Sequence, residues 1–351
     1  MVSTETATVR RILVEGIDDV SVETVDVPEA GPGEVRVRST VVGICGSDIH
    51  AAHGRHPFID LPFRPGHEVV GVVDAVGDGA DASLVGTRVV IEPNLACGHC
   101  TQCHAGRYNI CAELAVFGCQ TPGGLTDAFT IAADRVIPLA DGLDDRHAAL
   151  IEPLATPVHA VRRAAGLVGG LDGKRVAVLG AGPIGLFVLL AARRAGAVVV
   201  VADLLDSKRA RAERLGAVGS FDPTSGDAVS AAKDALGGPA DVVIDCVSRE
   251  SSVAQAIDIV DKGGAVLIVG VAAGATPVPL DLIQDREIVV AGCLMYVRED
   301  VQEAIDMLTE GTVPIDEFVT AEFPLERAAD AFAASTDPEH VKVLITVGDR
   351  P

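Results

Sequence analysis

The chain has 351 residues and 48% hydrophobic content, which is enough to bury a full core and suggests two domains. Acidic residues outnumber basic residues by 50 to 28, for a formal net charge of -22, and such a chain repels phosphate backbones and anionic lipids. Nucleic acids and membranes are therefore not expected as partners. The first 20 residues lack the continuous apolar segment of a secretory signal, so we expect a cytoplasmic protein with reduced cysteines.

Residues 9–90 contain short β-rich segments separated by Pro and Gly. Apolar and charged residues alternate at 35–38, whereas 69–73 is almost continuously apolar. This combination predicts a partly closed β domain with few helices.

Strand and helix patterns alternate after residue 152. Strands are predicted at 175–179, 198–202, 241–245 and 265–269, with helices at 183–195 and 207–215. The alternation predicts a parallel, doubly wound sheet in an α/β protein. Beyond residue 295 the patterns predict a helix at 299–308, a short strand, a helix through Ala331 and a last strand at 341–347. These are too few for a separate domain, so we expect them to return to the N-terminal part.

Four cysteines form the first strong motif, and they are Cys97, Cys100, Cys103 and Cys111. Gaps of two, two and seven residues in a 15-residue loop allow four thiolates to surround one tetrahedral ion, for which Zn²⁺ is well suited. Disulfides are disfavoured by the reducing compartment. An iron–sulfur cluster is disfavoured because the last gap is seven residues and Ala112, not Pro, follows the fourth cysteine. The motif therefore predicts a structural zinc site.

Three glycines, Gly180, Gly182 and Gly185, follow directly after a predicted strand, and Pro183 and Ile184 open the next helix. The first glycine allows a tight turn, the second lets backbone approach a pyrophosphate, and the third lets helix and strand pack closely. The pyrophosphate would meet amides at a helix N-terminus, where proline is tolerated because its missing N–H is not needed. These five residues therefore predict a dinucleotide-binding turn.

Asp203 ends the next predicted strand, 18 residues after Gly185, and is placed to accept hydrogen bonds from an adenosine ribose. A carboxylate there would repel a 2′-phosphate, so NAD is favoured over NADP. Lys208 is a second candidate for this ribose, and an ordinary solvated helix lysine is the alternative.

Residues 44–50, Ile-Cys-Gly-Ser-Asp-Ile-His, place a thiol, a hydroxyl, a carboxylate and an imidazole close together. Proteins build metal-centred proton-transfer sites from these groups, although a cysteine beside a glycine is also typical of a small buried residue. The chain supplies partners in Gly-His-Glu at 66–68, Ile-Glu-Pro-Leu-Ala at 151–155 and the glycine-rich turn. We interpret the set as one catalytic centre.

Five motifs, in their order along the chain, resemble those of the zinc-containing medium-chain alcohol dehydrogenases. They are Cys-Gly-Ser-Asp-x-His, Gly-His-Glu, the four-cysteine loop, Glu-Pro-Leu-Ala and Gly-x-Gly-Pro-x-Gly. The resemblance extends over about residues 35–347 and is to the branch of sorbitol, butanediol and threonine dehydrogenases, which share a glutamate at Glu152. It implies a GroES-like catalytic domain from residues 1–152 and 297–351, a Rossmann NAD-binding domain at 153–296, and a homodimer or homotetramer.

The same resemblance assigns Cys45 and His67 as ligands of a catalytic zinc, completed by one or both of Glu68 and Glu152. The sequence leaves the choice between the two glutamates open. Asp48 is expected to orient His67. With the four-cysteine site, this predicts two zinc ions per chain. The catalytic ion would lower the pKa of a bound alcohol.

Ser47 and His50 are predicted to pass the alcohol proton, through the cofactor ribose, to solvent, while the nicotinamide accepts the hydride. Lys342 resembles a basic position near the cofactor pyrophosphate. The remaining histidines are interpreted as surface or packing residues: His53, His56, His99, His104, His147, His159 and His340. The remaining cysteines are interpreted as buried or pocket-lining: Cys119, Cys246 and Cys293.

Aromatic residues make up only 3% of the chain and there is no Trp, which favours a small or polar secondary alcohol, such as a polyol or vicinal diol, as substrate. An amino alcohol such as threonine is the alternative. A zinc-free reductase of the same fold would lack the set of Cys45, His67 and Glu152. A non-catalytic NAD-binding protein is the remaining possibility, because function belongs to the site rather than the fold.

Overall fold

The computed structural model describes residues 7–140 and 142–348, which form two compact units. One unit comprises Met1–Pro153 with Ala304–Pro351, and the other comprises Leu154–Glu303. The domain limits given above, 1–152 with 297–351 and 153–296, stay a prediction. No helix within the described residues is long and apolar enough to cross a membrane.

Strands dominate the first unit, whereas strands and helices alternate in the second. The strands are β1 (Thr8–Gly16), β2 (Asp19–Asp26), β3 (Glu34–Ile44), β4 (Glu68–Val76), β5 (Arg88–Ile91), β6 (Asn94–Leu95), β7 (Ala115–Val116), β8 (Ala128–Ala132), β9 (Val136–Pro138), β10 (Arg175–Leu179), β11 (Val198–Ala202), β12 (Gly219–Phe221), β13 (Ala240–Asp245), β14 (Val260–Ile268), β15 (Val289–Gly292), β16 (Val319–Pro324) and β17 (Lys342–Thr346). The α-helices are α1 (Gly46–Ala52), α2 (Thr101–His104), α3 (Asp145–Ala148), α4 (Ile151–Val168), α5 (Pro183–Arg194), α6 (Asp206–Arg214), α7 (Ala228–Leu236), α8 (Glu250–Ile259), α9 (Leu280–Asp285), α10 (Arg298–Thr309), α11 (Ile315–Phe318) and α12 (Ala328–Ala334). Single 3₁₀ turns lie at Ala82–Leu84, Tyr108–Ile110, Ala133–Arg135 and Leu325–Arg327.

The first unit is built on a seven-stranded sheet with the order β16-β17-β3-β4-β5-β9, in which β8 also pairs with β3. The long strand β3 is central, and β17 runs antiparallel to it with Val343 opposite Ile44. On its other side β4 is antiparallel to β3 with Glu68 opposite Gly43. This register brings the end of β3, the start of β4 and the start of β17 to one edge of the sheet.

The second unit contains a six-stranded parallel sheet in the order β12-β11-β10-β13-β14-β15. The predicted doubly wound parallel sheet is therefore confirmed. The β10 and β11 sequences are apolar on both faces, as expected where helices cover both sides of a sheet. The strand order reverses at β10, between β11 and β13, and the carboxyl ends of strands at such a point form a ligand crevice.

Candidate functional site

The short helix α1 carries four of the predicted site residues. Cys45 is its N-cap residue, and the Cys45 N–H donates to Oδ2 of Asp48 at 2.9 Å, which closes the first turn. Asp48 is buried, with 1% of its surface exposed. Ser47 is half-buried and His50, in the last turn, is exposed. The helix therefore leads from a buried carboxylate to solvent.

Cys45, His67 and Glu68 converge in the first unit. One ligand atom of each lies within 4.8 Å of the others, and His67 and Glu68 are buried. The pairing of β3 with β4 explains the convergence, because it places the residues after Ile44 beside the start of β4. A thiolate, an imidazole and a carboxylate form a donor set that suits a catalytic zinc ion. Glu152 is not a member of this group of atoms.

Asp48 lies close to His67, and its role in orienting this ligand stays a prediction. Its Oδ1 is 3.7 Å from Nδ1 of His67, and this buried oxygen has no hydrogen-bond partner within residues 7–140 and 142–348. Burial raises the pKa of Asp48, and the His67 charge opposes this shift. Burial lowers the pKa of His67, but the charges of Asp48, Cys119 and Cys45 raise it well above its ordinary value. Electrostatic coupling thus joins these groups.

Lys342 occupies a position that the sequence did not indicate. Its Nζ donates to Oε1 and Oε2 of Glu68 at 2.6 and 2.8 Å, and to the Ile44 carbonyl at 3.2 Å. Both charged side chains are buried, with 3% and 0% exposure. Burial lowers the pKa of Lys342, but the Glu68 carboxylate raises it above its ordinary value. The contact of Lys342 with a pyrophosphate stays a prediction, whereas in its own unit its ammonium is bound to Glu68.

Gly43, which has no side chain, leaves room for the pair of Lys342 and Glu68. A Cβ atom on Gly43 would lie 2.0 Å from Oε2 of Glu68, far inside van der Waals contact. The strand therefore needs glycine opposite Glu68, and the carboxylate lies in a space fitted to it. One oxygen of this carboxylate lies within 4.8 Å of ligand atoms of Cys45 and His67, and Lys342 balances its buried charge.

Cys119 is a neighbour of the centre that sequence spacing did not connect to it. Its Sγ is 4.0 Å from Nδ1 of His67, and burial raises the pKa of this thiol. The turn that carries Cys119 packs directly on backbone, since a Cβ on Gly118 would lie 2.8 Å from the carbonyl carbon of Gly66. Only the folded arrangement of two distant loops produces this contact.

The four cysteines of the predicted structural zinc site also converge. Their sulfur atoms lie within 4.8 Å of one another, with Sγ–Sγ distances of 3.5 Å for Cys100–Cys103, 3.9 Å for Cys100–Cys111 and 4.0 Å for Cys97–Cys103. A tetrahedron with zinc–sulfur bonds of about 2.3 Å has edges of about 3.8 Å, so these sulfurs fit one ion. Backbone N–H groups, that of Ala112 foremost, lower the pKa of Cys100, whereas burial and the neighbouring Cys100 thiol raise the pKa of Cys103.

The glycine-rich turn of the second unit has the geometry expected of it. Gly180 has φ of +95°, which glycine adopts without strain. A Cβ on Gly185 would lie 1.8 Å from the Gly180 carbonyl oxygen, so the close approach of helix and turn requires this glycine. Pro183 is the first residue of α5 and Gly182 its N-cap, while Ile184 lies in the first turn. The backbone amides at this helix N-terminus suit a pyrophosphate.

Asp203 lies against the same turn. Its Oδ2 accepts a hydrogen bond from the Ala181 N–H at 2.8 Å, and its Oδ1 accepts one from the Leu205 N–H at 3.1 Å. Lys208 is half-buried in the first turn of α6. The next residue, Arg209, donates from its guanidinium to the Asp203 carbonyl at 2.6 Å. Arg209 was not predicted, because the sequence does not show which face of α6 meets the strand end.

Family models match most of the chain. The alcohol dehydrogenase GroES-like domain matches residues 31–141 and the zinc-binding dehydrogenase domain matches residues 183–310. Bovine (Bos taurus) sorbitol dehydrogenase is 37% identical over 344 residues, covering 95% of each chain. The 2-dehydro-3-deoxy-L-galactonate 5-dehydrogenase of Pseudoalteromonas atlantica is 33% identical over 321 residues, covering 91% of this chain and 92% of that protein. The chain belongs to the zinc-containing medium-chain alcohol dehydrogenase family and is an alcohol or polyol dehydrogenase.

Solved structures agree with this fold. An alcohol dehydrogenase from Escherichia coli CFT073, complexed with NADH, matches with a TM-score of 0.89 at 28% identity and covers 97% of this chain and 99% of that one. A zinc-binding dehydrogenase from Sinorhizobium meliloti 1021, bound to NADP, has the same TM-score at 32% identity and covers 97% and 100%. A nicotinamide cofactor is therefore common to these relatives, in both phosphorylation states.

Proposed function

We propose that the protein transfers a hydride between NAD and a small secondary alcohol, a polyol or vicinal diol, and forms the corresponding ketone. The observation that carries this proposal is the convergence of Cys45, His67 and Glu68 in a buried centre of a zinc dehydrogenase fold. Relatives named sorbitol dehydrogenase, L-galactonate-5-dehydrogenase and 2R,3R-butanediol dehydrogenase support a substrate with neighbouring hydroxyls.

Cys45, His67 and Glu68 would hold the catalytic zinc, with Glu152 as a further ligand candidate. A bound zinc ion lowers the pKa of an alcohol hydroxyl. Neighbouring side chains would orient these zinc ligands. Asp48, whose Oδ1 lies 3.7 Å from Nδ1 of His67, would orient the imidazole ring, and Lys342 donates two short hydrogen bonds to the Glu68 carboxylate.

Ser47 and His50 would remove the alcohol proton. They are three residues apart in α1 and therefore lie on one face of the helix. Ser47 is at the half-buried end and His50 at the exposed end, so the pair is suited to pass a proton from a closed site to solvent.

NAD rather than NADP would be the cofactor, and a bound nicotinamide accepts the hydride. Asp203 supports this choice, because its carboxylate lies beside the glycine-rich turn and would repel a 2′-phosphate. Gly180, Gly182 and Gly185 would line the pyrophosphate. Two zinc ions per chain, a homodimer or homotetramer and a cytoplasmic location complete the proposal.

A substrate panel tests this proposal. Polyols, vicinal diols and threonine are oxidised with NAD or NADP, and reduced cofactor is followed at about 340 nm. We expect polyols or diols with NAD to give the highest kcat/KM, with loss of activity on chelation and recovery on adding zinc. Preference for NADP would contradict the role of Asp203. Preference for threonine would show that the substrate is an amino alcohol rather than a polyol or diol. The absence of any alcohol oxidation by zinc-replete protein would refute the proposed function.

A further inference from the structure

Residues 55–58 follow helix α1, which has the candidate zinc ligand Cys45 as its N-cap residue. The segment starts just after α1, where the N–H of Arg55 donates to the carbonyl of His50 at 2.8 Å. Its far end is fixed by Gln120, whose Nε2 donates to the carbonyl of Phe58 at 2.7 Å. One hydrogen bond thus anchors each end of the segment.

The turn that holds the segment also contacts a predicted zinc ligand. Gln120 follows Cys119, whose Sγ lies 4.0 Å from Nδ1 of His67. Oε1 of Gln120 accepts a hydrogen bond from the N–H of Val116 at 2.8 Å, so this side chain is fixed at both ends. One turn of chain thus joins residues 55–58 to the catalytic centre.

His56 offers a hydrogen-bond donor at this position. Its Nδ1 accepts a hydrogen bond from the N–H of Phe58 at 3.2 Å. Burial, followed by the charges of His50 and His67, lowers the pKa of His56, so its ring is neutral at pH 7. A neutral imidazole that accepts at Nδ1 carries its hydrogen on Nε2. Nε2–H is therefore a donor, and the residue before His56, Arg55, is hydrogen-bonded through its N–H to the carbonyl of His50 in the predicted proton path.

Arg55 adds a positive charge. Its side chain is exposed, and within residues 7–140 and 142–348 its guanidinium makes no ion pair. Carboxylates are nevertheless in excess in this chain, which has 50 acidic and 28 basic residues. The nearby Asp18 is paired with His53 instead. A chain of net charge -22 repels anions at long range, so an anionic substrate would need a local cation of this kind.

We propose that Arg55 and His56 bind a carboxylate at one end of the substrate, which makes the substrate a polyhydroxy carboxylate rather than a neutral polyol. This inference rests on the proposed function, since it names the end group of the alcohol oxidised at the same centre. A guanidinium matches a carboxylate through two parallel N–H donors, and the imidazole N–H supplies a third. The carbinol C–H gives its hydride to NAD⁺, its O–H proton goes to solvent, and the carboxylate is unchanged.

The test compares galactonate with galactitol, which differ in the terminal group, as substrates of the zinc-replete enzyme with NAD. Galactonate should have the higher kcat/KM. Arg55→Gln should lower kcat/KM for galactonate about 10- to 100-fold, mainly by raising KM. It should change kcat/KM for galactitol less than about threefold, because only galactonate loses a charged hydrogen bond. Arg55→Lys should recover part of the loss. Arg38→Gln, which removes the same charge from an exposed position of β3, is the control.

His56 has its own pair of variants. His56→Phe should lower kcat/KM for galactonate about tenfold, and His56→Gln, which keeps an N–H donor, should recover part of it. If galactitol is oxidised as well as galactonate and Arg55→Gln changes neither, the inference is wrong and the proposed function stands. An equal loss for both substrates would show that Arg55 supports the loop, which also overturns the inference. If neither compound nor any other alcohol is oxidised, the proposed function itself fails.

Discussion

Removing Lys342 should unbalance the buried pair at the candidate centre. In Lys342→Met the side chain keeps a similar length but loses its charge, so the Glu68 carboxylate, which is 0% exposed, is left without the donor that now lies 2.6 and 2.8 Å away. Breaking a buried ion pair from one side costs about 3–5 kcal/mol, because the remaining charge is uncompensated. We expect this loss in the free energy of unfolding of the metal-free protein.

Two comparisons separate the pair from the general effect of losing a lysine. Lys262→Met removes an exposed lysine whose partner Asp285 is 3.7 Å away, with side-chain exposures of 72% and 71%, and should cost at most about 1 kcal/mol. The double variant Lys342→Met with Glu68→Gln should lose less stability than the sum of its single variants, by about 2 kcal/mol, because no unpaired charge remains.

Urea denaturation in chelator and in excess zinc provides the assay. The protein has two compact units, so circular dichroism should be fitted for each transition that appears. Zinc should reduce the deficit of Lys342→Met, since a cation at Cys45, His67 and Glu68 can balance the unpaired Glu68 charge. A deficit no larger than that of Lys262→Met, or one unaffected by zinc, would refute this account of the pair.

Four further predictions concern separate parts of the chain. Cys100→Ser should release one zinc ion and lower the melting temperature, as measured by elemental analysis and calorimetry; unchanged zinc content would contradict it. Asp203→Ser should weaken NAD and improve NADP by about 1–3 kcal/mol in kcat/KM, and an unchanged NAD/NADP ratio would count against the ribose contact. His50→Gln should lower the rate of alcohol oxidation by about 10²-fold or less, with the largest decrease at low pH, while zinc and NAD affinity stay normal. An unaltered pH–rate profile would contradict a role of His50 in proton transfer. A hydrogen bond from Arg11 lowers the pKa of Glu23 below its ordinary 4.5, so the pair stabilises the fold above about pH 4.5. This stability is lost as the pH falls through the folded-state pKa of Glu23. Glu23→Gln should reduce the change in the free energy of unfolding over that pH range by up to about 1 kcal/mol, and an unchanged pH dependence would contradict the shift.

Local patterns explain why much of the second unit could be predicted. The strand predicted at 198–202 coincides with β11, and the helix predicted at 183–195 differs from α5 by one residue. Both depend on nearby residues, namely an apolar strand, a proline in the first helical turn and the glycines between them. The strand predicted at 265–269 begins earlier, at Val260, because a register irregularity lets an additional segment pair with β13.

The catalytic centre depends more on contacts between distant residues. The four cysteines lie in one loop, so their spacing carries the prediction. Glu68, by contrast, meets a lysine 274 positions away only because β4 and β17 both lie next to β3. No spacing in the sequence encodes that pair, and the same is true of Cys119 beside His67, 52 positions apart. Pairing of β3 with β4 also places Glu68 in the group of converging ligand atoms, to which Glu152 does not belong, and the choice of the zinc ligand between them stays open.

Metal content and turnover of Cys45→Ser, measured on the same metal-replete preparations as the wild type, test the central claim most directly. Serine removes the soft ligand from the convergent set of Cys45, His67 and Glu68 and leaves the four-cysteine site intact. We predict two zinc ions per wild-type chain and one per variant chain, with an unchanged circular dichroism spectrum and a loss of NAD-linked alcohol oxidation of at least about 10²-fold. Equal zinc content in both proteins, or a variant that oxidises the alcohol at the wild-type rate, would contradict a catalytic zinc at this centre.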